Sequence, residues 1–360
     1  VSYSVPLKLI DPLRIQIANA YRMDENEAVN ILIGYGSLSD QTNTAIEAEA
    51  QQLISAVREQ KKNAFGLDNF LKEFQLNSQE GIALMCLAEA LLRVPDQNTV
   101  DNLIYDKISK ISQSDNEAND PQSFFMNATT WALMLTGKVT SWRELKTNTL
   151  GNVLKRLVQR SGEPVIRHAV SRAMKILGHQ FVMGRTMEEA LARAREQEAK
   201  GYRYSYDMLG EAARTEADAK RYFDAYLKAI SEMGQASQKG VVEGPGISIK
   251  LSALHPRYEI AQYERVFPIL RDRLKTLAIA AKEVNIGLTI DAEEANRLDF
   301  SLNLIEAVFS DNALSGWEGF GLALQSYQKR GFYVIDCLAQ LAKQHHRRLM
   351  VRLIKGAYWD

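Results

Sequence analysis

Through roughly the first 200 positions, apolar residues return at intervals of three and four, the spacing of one helix face. The run from Asn77 to Leu92 carries the accompanying signals. Asn77 stands as an N-cap with Glu80 in the first turn, and Arg93, Val94 and Pro95 end it. Between Ser114 and Pro121 the chain turns polar, which predicts a loop. No internal repeat is evident. This part predicts an all-helical region and little about chemistry.

After Gly201 the pattern changes. Short β-like segments alternate with helical ones: Tyr204 to Leu209, Gly246 to Ser252, Gly287 to Glu293, Phe320 to Gln325 and Leu349 to Lys355. Between two of them a helix presents Tyr263, Val266, Phe267, Leu270, Leu274 and Ala281 on one face. Strand, helix and strand at these distances signal parallel βα units. Alternation within the strands separates an open sheet from a barrel. Strands covered by helices on both faces read apolar on both. Here Ile247, Ile249 and Leu251 alternate with Ser248, Lys250 and Ser252, and Leu288 and Ile290 alternate with Thr289 and Asp291. One polar or small face predicts a barrel, with helices outside and a ligand inside. The fold class expected is therefore α plus α/β, a helical region followed by a βα barrel. The expected division is 1–65 as a helical arm or linker, 66–175 as a helical domain and 176–360 as the barrel.

Charge narrows the partners. Lys and Arg total 44, and Asp and Glu total 44, so the formal net charge is zero. A nucleic-acid binder shows a basic excess or stripe, so no nucleic-acid binding is expected. Short basic runs such as Arg347 and Arg348 read as solvated. The two cysteines, Cys86 and Cys337, lie in apolar helical contexts and read as buried, reduced thiols. The apolar stretch from Ile82 to Leu92 is interrupted by Glu89 and is too short to span a bilayer. The first residues do not form a signal peptide, so a cytoplasmic location is expected.

The polar residues fall late in each strand, where βα barrels carry their active sites. Lys250, Asp291, Gln325, Arg352 and Lys355 would share one mouth if the strands are parallel. Isolated buried charges are costly, so several in succession point to use. Two lysines and an arginine favour an anion, with Arg able to fork onto a carboxylate or phosphate. No phosphate-binding glycine loop is present, and the turn at Gly244, Pro245 and Gly246 signals a turn alone. His255 reads as a rim histidine. His345 and His346 precede a strand, away from the mouth, and read as surface. No metal site is expected.

These words resemble a known family. Gly201–Ala213 (GYRYSYDMLGEAA) is similar to the opening strand of the proline dehydrogenase barrel. The next four strand ends are matched by Gly244–Tyr258 (GPGISIKLSALHPRY), Ile290–Glu294 (IDAEE), Gln325–Arg330 (QSYQKR) and Val351–Asp360 (VRLIKGAYWD). Glu80–Asp96 and Ser161–Arg167 resemble the helical domain before the barrel in the bifunctional proline utilization A family.

The resemblance implies non-covalent FAD at the barrel mouth and L-proline as substrate, oxidised to pyrroline-5-carboxylate. It implies that Lys250 holds the substrate carboxylate with Asp291 beside it. It implies that Asp291, Gln325, Arg352, Lys355, Gly356, Ala357 and Tyr358 contact the flavin or line its pocket, with Arg352 near the reactive nitrogen. Lys250, Asp291 and Arg352 are thus the catalytic candidates. It further implies a membrane quinone as electron acceptor, peripheral membrane contact in the parent and a possible homo-oligomer. A C-terminal aldehyde dehydrogenase domain using NAD belongs to the parent and not to this chain. A barrel of this type needs eight strands and about five are counted. A shortened chain with exposed apolar edges, inactive by itself, is therefore expected. Two other readings stay open: a Schiff-base lysine aldolase, since a barrel lysine beside an aspartate suits both, and a helical interaction scaffold.

Overall fold

The structure, a computed structural model, describes residues 11–62, 182–210, 212–236 and 239–356. The predicted helix at Asn77, the loop after Ser114, Cys86, Ala357 and Tyr358 lie outside these residues. The chain divides into two units, Val1–Ser37 with Thr186–Asp360, and Leu38–Arg185. In the second, helix α3 spans Asp40–Lys62.

The first unit begins with helices α1 (Pro12–Ala20) and α2 (Glu25–Gly36). Local sequence starts both. Asp11 accepts from Leu13 N at 2.9 Å with Pro12 in the first turn, and Asp24 accepts from Asn26 N and Glu27 N. Such caps satisfy amides that the helix leaves unpaired. The two helices are fastened to the barrel by charge. Arg14, 4% exposed, pairs with Glu306 at 3.0 Å. Lys329 pairs with Glu25 and donates to Met23 O at 2.8 Å.

The barrel elements follow: α4 (Met187–Glu198), β1 (Ser205–Asp207), α5 (Glu216–Ala236), β2 (Gly246–Ile249), α6 (Tyr263–Glu283), β3 (Gly287–Ile290), α7 (Leu298–Phe309), β4 (Phe320–Gln325), α8 (Gly331–Gln344) and β5 (Met350–Ile354). Among the described residues the strands form one parallel sheet in the order β1-β2-β3-β4-β5. Ile247, Ile249, Leu288, Ile290, Phe320, Leu322 and Leu324 are each 2% exposed or less and form its core. Val266, Leu270, Leu274 and Ala281 of α6 are buried, as their helical spacing predicts. Burial of such a stripe, rather than helix propensity, supplies most of a helix's stability.

The strands differ from the expected spans at their ends. β2 stops at Ile249, and Leu251–Leu254 form a helical turn. The cause is local hydrogen bonding. Lys250 N donates to the Tyr226 hydroxyl at 3.2 Å, and Ser252 N donates to the Glu293 carboxylate at 3.0 Å. These amides have side-chain acceptors and leave the ladder. In β4 both faces are buried, including Gly321, Ala323 and Gln325. On β5, Val351 and Leu353 are exposed, so its apolar face is uncovered among the described residues. No described helix is long and apolar enough to cross a membrane.

Several single-residue readings are corrected. His255 is buried, with Nδ1 accepting from Arg257 N at 3.0 Å, because the chain folds back on the ring at Pro256. Arg347 is not solvated: its guanidinium lies 4.3 Å from the Phe309 ring and donates to Phe309 O at 2.8 Å. His345 is half-buried against Ser310, its Nε2 at 3.0 Å from Oγ. Cys337 is half-buried rather than buried.

Candidate active site

The site is built from strand ends. Asp207 closes β1, Lys250 follows β2, Asp291 follows β3, Gln325 closes β4 and Arg352 lies within β5. Parallel pairing brings the C-terminal ends to one side. Lys250 Nζ lies 2.8 Å from each carboxylate oxygen of Asp207 and 3.1 Å from Asp291 Oδ2. Arg352 donates through one nitrogen to Asp291 Oδ1 and through the other to Ser248 Oγ at 3.1 Å. Ser248 Oγ is in turn 3.0 Å from Ser205 Oγ. Two cations and two anions thus form a continuous cluster over β1, β2, β3 and β5.

The Arg352 to Ser248 bond reports the curvature of the sheet. β5 and β2 are separated by two intervening strands in the hydrogen-bonded order. In a flat sheet that is about 14 Å, too far for an arginine to reach a serine. The sheet therefore curls, and its polar face lies on the concave side. This is the geometry the alternation predicted.

The electrostatics favour fixed charges. For Lys250, burial is the largest influence and pulls the ammonium pKa down, but hydrogen bonds and charge from Asp207 and Asp291 outweigh it and the net movement is upward. The lysine stays protonated through the neutral range. Its backbone is pinned by Tyr226, which is fully buried on α5 and whose hydroxyl burial moves upward in pKa. Glu293, which accepts from Ser252 N, is half-buried and also pairs with Arg297 at 2.9 Å; desolvation raises its carboxyl pKa despite the Ser252 hydrogen bonds.

The other predicted residues are distributed unevenly. Gln325 is 3% exposed, accepts from Gln328 Nε2 at 2.9 Å and shares a small cavity with Asp291. Lys355 is exposed, and its carbonyl accepts from Tyr327 N at 3.1 Å. Gly356 adopts φ +124°, and a Cβ there would clash with the Tyr327 ring. Sequence reading missed Asp207, Ser248 and Tyr226 as site residues. The rule that found Lys250, a polar residue late in a strand, also selects Asp207 at the end of Tyr206-Asp207. Tyr226 gave no signal, because a tyrosine on an amphipathic helix reads as core.

Comparison with known proteins agrees with this architecture. Residues 190–360 match the sequence model described as proline dehydrogenase. Residues 66–181 match the DNA-binding domain of proline dehydrogenase, and 11–58 match the proline utilization A proline dehydrogenase N-terminal domain. The chain is 51% identical over 352 residues to the bifunctional protein PutA of Escherichia coli, covering 96% of this chain and 26% of that protein. It is 26% identical over 197 residues to the proline dehydrogenase of Deinococcus radiodurans, covering 55% and 58% of the two. A crystal structure of a proline utilization A variant from Bradyrhizobium japonicum superposes with a TM-score of 0.63 at 43% identity, over 94% of this chain and 33% of that one. The chain thus spans about a quarter of the length of the Escherichia coli relative. With three consecutive matches in one order and a parallel βα sheet over the third, residues 190–360 form a domain of the proline dehydrogenase family, and the chain as a whole is similar to the N-terminal region of bifunctional PutA proteins.

Proposed function

We propose that the protein containing this chain oxidises L-proline to pyrroline-5-carboxylate, the first step of proline catabolism, with FAD at the barrel mouth. The single observation that carries this reading is the charge cluster on the concave face. Lys250 supplies a permanent cation for the substrate carboxylate, and Asp291 holds Lys250 and Arg352 in fixed relation. Anchoring the carboxylate orients the ring, and orientation is itself a large part of rate acceleration. In the reaction a hydride leaves the ring carbon beside nitrogen, the nitrogen loses a proton, and a C=N bond forms.

A dehydrogenase needs a redox acceptor, and the residues fit a flavin. The Arg352 side chain is 42% exposed at the mouth, and Gln325 places a buried amide at the end of the neighbouring strand β4. The turn after β5 passes close over Tyr327 only because residue 356 is glycine. Asp291, Gln325, Arg352, Lys355 and Gly356, with Ala357 and Tyr358 beyond the described residues, would hold the cofactor. FAD supplies the hydride-accepting centre, and Arg352 would favour its more anionic reduced form.

The Schiff-base reading requires a neutral amine, and Lys250 is held charged by two carboxylates. The site geometry therefore favours hydride transfer. We further propose a quinone as electron acceptor, a cytoplasmic location with peripheral membrane contact, and domain limits at 65 and 175. The balanced charge supports a chain that does not bind duplex DNA. The deciding experiment is Lys250→Ala in the full-length protein. Proline KM should rise at least about tenfold while flavin absorbance is retained. An unchanged KM removes Lys250 from the carboxylate site.

A further inference from the structure

Lys250 is countered more heavily than an anchor for an anion requires. Both oxygens of Asp207 lie 2.8 Å from its ammonium. A carboxylate straddling the lysine in this way has the form of the group that the substrate would present. The two acids on Lys250 are not equivalent. The Asp291 side chain is 13% exposed and is also held by Arg352, whereas the Asp207 side chain is 47% exposed at the end of β1. Asp207, Asp291, Lys250 and Arg352 together sum to no formal charge. An incoming anion meets net attraction only when one acid withdraws, and the exposed one costs least to release.

We propose that Asp207 is a built-in competitor for the substrate carboxylate: it occupies Lys250 until an incoming carboxylate exchanges for it, while Asp291 keeps the lysine in position. The inference rests on the reading of Lys250 as the carboxylate anchor. Apparent affinity is then reduced by the fraction of molecules in which Asp207 is not withdrawn. The device favours ligands whose carboxylate can replace both Asp207 oxygens and disfavours weaker anions that need the same cation.

The test uses the full-length, flavin-loaded protein and two readouts. One is proline KM. The other is the dissociation constant, by calorimetry, of cyclopentanecarboxylate, which has the carboxylate and ring but no oxidisable nitrogen. Asp207→Asn, nearly isosteric and at an exposed site, should lower both by about three- to tenfold. In a Lys250→Met background the same change should have no effect. If Asp207→Asn leaves both constants unchanged or raises them while Lys250→Met alone raises them, the competitor role is overturned and the anchor reading stands. If Lys250→Met alone changes neither, the anchor reading falls and the competitor role with it. Asp207→Ser repeats the measurement without an amide, and an opposite sign from Asp207→Asn also overturns the proposal.

Discussion

Arg352 is held from two sides, by Ser248 at 3.1 Å and by the Asp291 carboxylate, which fixes a planar cation at the mouth. Replacing it with methionine keeps the length and removes the charge. With FAD held as proposed, Arg352→Met in the full-length protein should lower the cofactor's reduction potential, by an amount equivalent to about 1 kcal/mol given the exposure of the pair. An unaltered potential, measured by spectroelectrochemical titration, would remove Arg352 from the flavin's neighbourhood. Gly356 is constrained differently. Its φ of +124° and the Tyr327 ring, with which an added Cβ would clash, both exclude a side chain. Gly356→Ala should cost about 1–3 kcal/mol of stability, read from chemical unfolding. Wild-type stability in that variant would mean that the turn relaxes freely.

At the scale of elements, one buried arginine joins three of them. Arg330, fully buried before α8, pairs with Asp299 of α7 at 2.7 Å and stacks 4.0 Å from the Tyr21 ring, just after α1. It also donates to Gln328 Oε1 at 3.1 Å. Removing such a charge leaves its partner uncompensated. Arg330→Met should destabilise the protein by about 3 kcal/mol. Limited proteolysis should then cut first near α1, and a protected α1 would show that the helix is held without this contact. Arg330 ends the strand-end motif Gln325–Arg330, yet its contacts join helices. Periodicity identified α6 and its buried face, because a stripe at helical spacing is a property of the sequence alone.

For the whole molecule, two groups give opposite pH limbs. Burial lowers the His255 pKa, so the folded state holds the neutral ring. That contribution is present above the unfolded value of about 6.5 and is lost as pH falls below it, because only the unfolded chain then takes up the proton. His255→Asn, which keeps an acceptor for Arg257 N, should flatten the fall in unfolding midpoint between about pH 7 and 5. A fall of unchanged size would locate the titrating group elsewhere. Lys250 behaves in the reverse sense, its pKa being raised on balance by Asp207 and Asp291 against the downward pull of burial. Its contribution is full below about pH 10.4 and is lost as pH rises through the folded value. The stability difference between the native protein and Lys250→Met should therefore hold constant from about pH 7 to 9 and shrink above about 10.4.

Taken alone, the chain determined that parallel βα units follow a helical region, and that Lys250, Asp291 and Arg352 belong near strand ends. Those facts depend on periodicity and on short-range order, which a linear pattern contains. Tertiary structure decided how the charges are joined. Arg352 meets Ser248 only because the sheet curls, and β2 ends at Ile249 only because Tyr226 and Glu293, distant in sequence, accept the amides that a longer strand would have paired. The double hold of Asp207 on Lys250 likewise depends on two strand ends meeting in space, 43 residues apart along the chain.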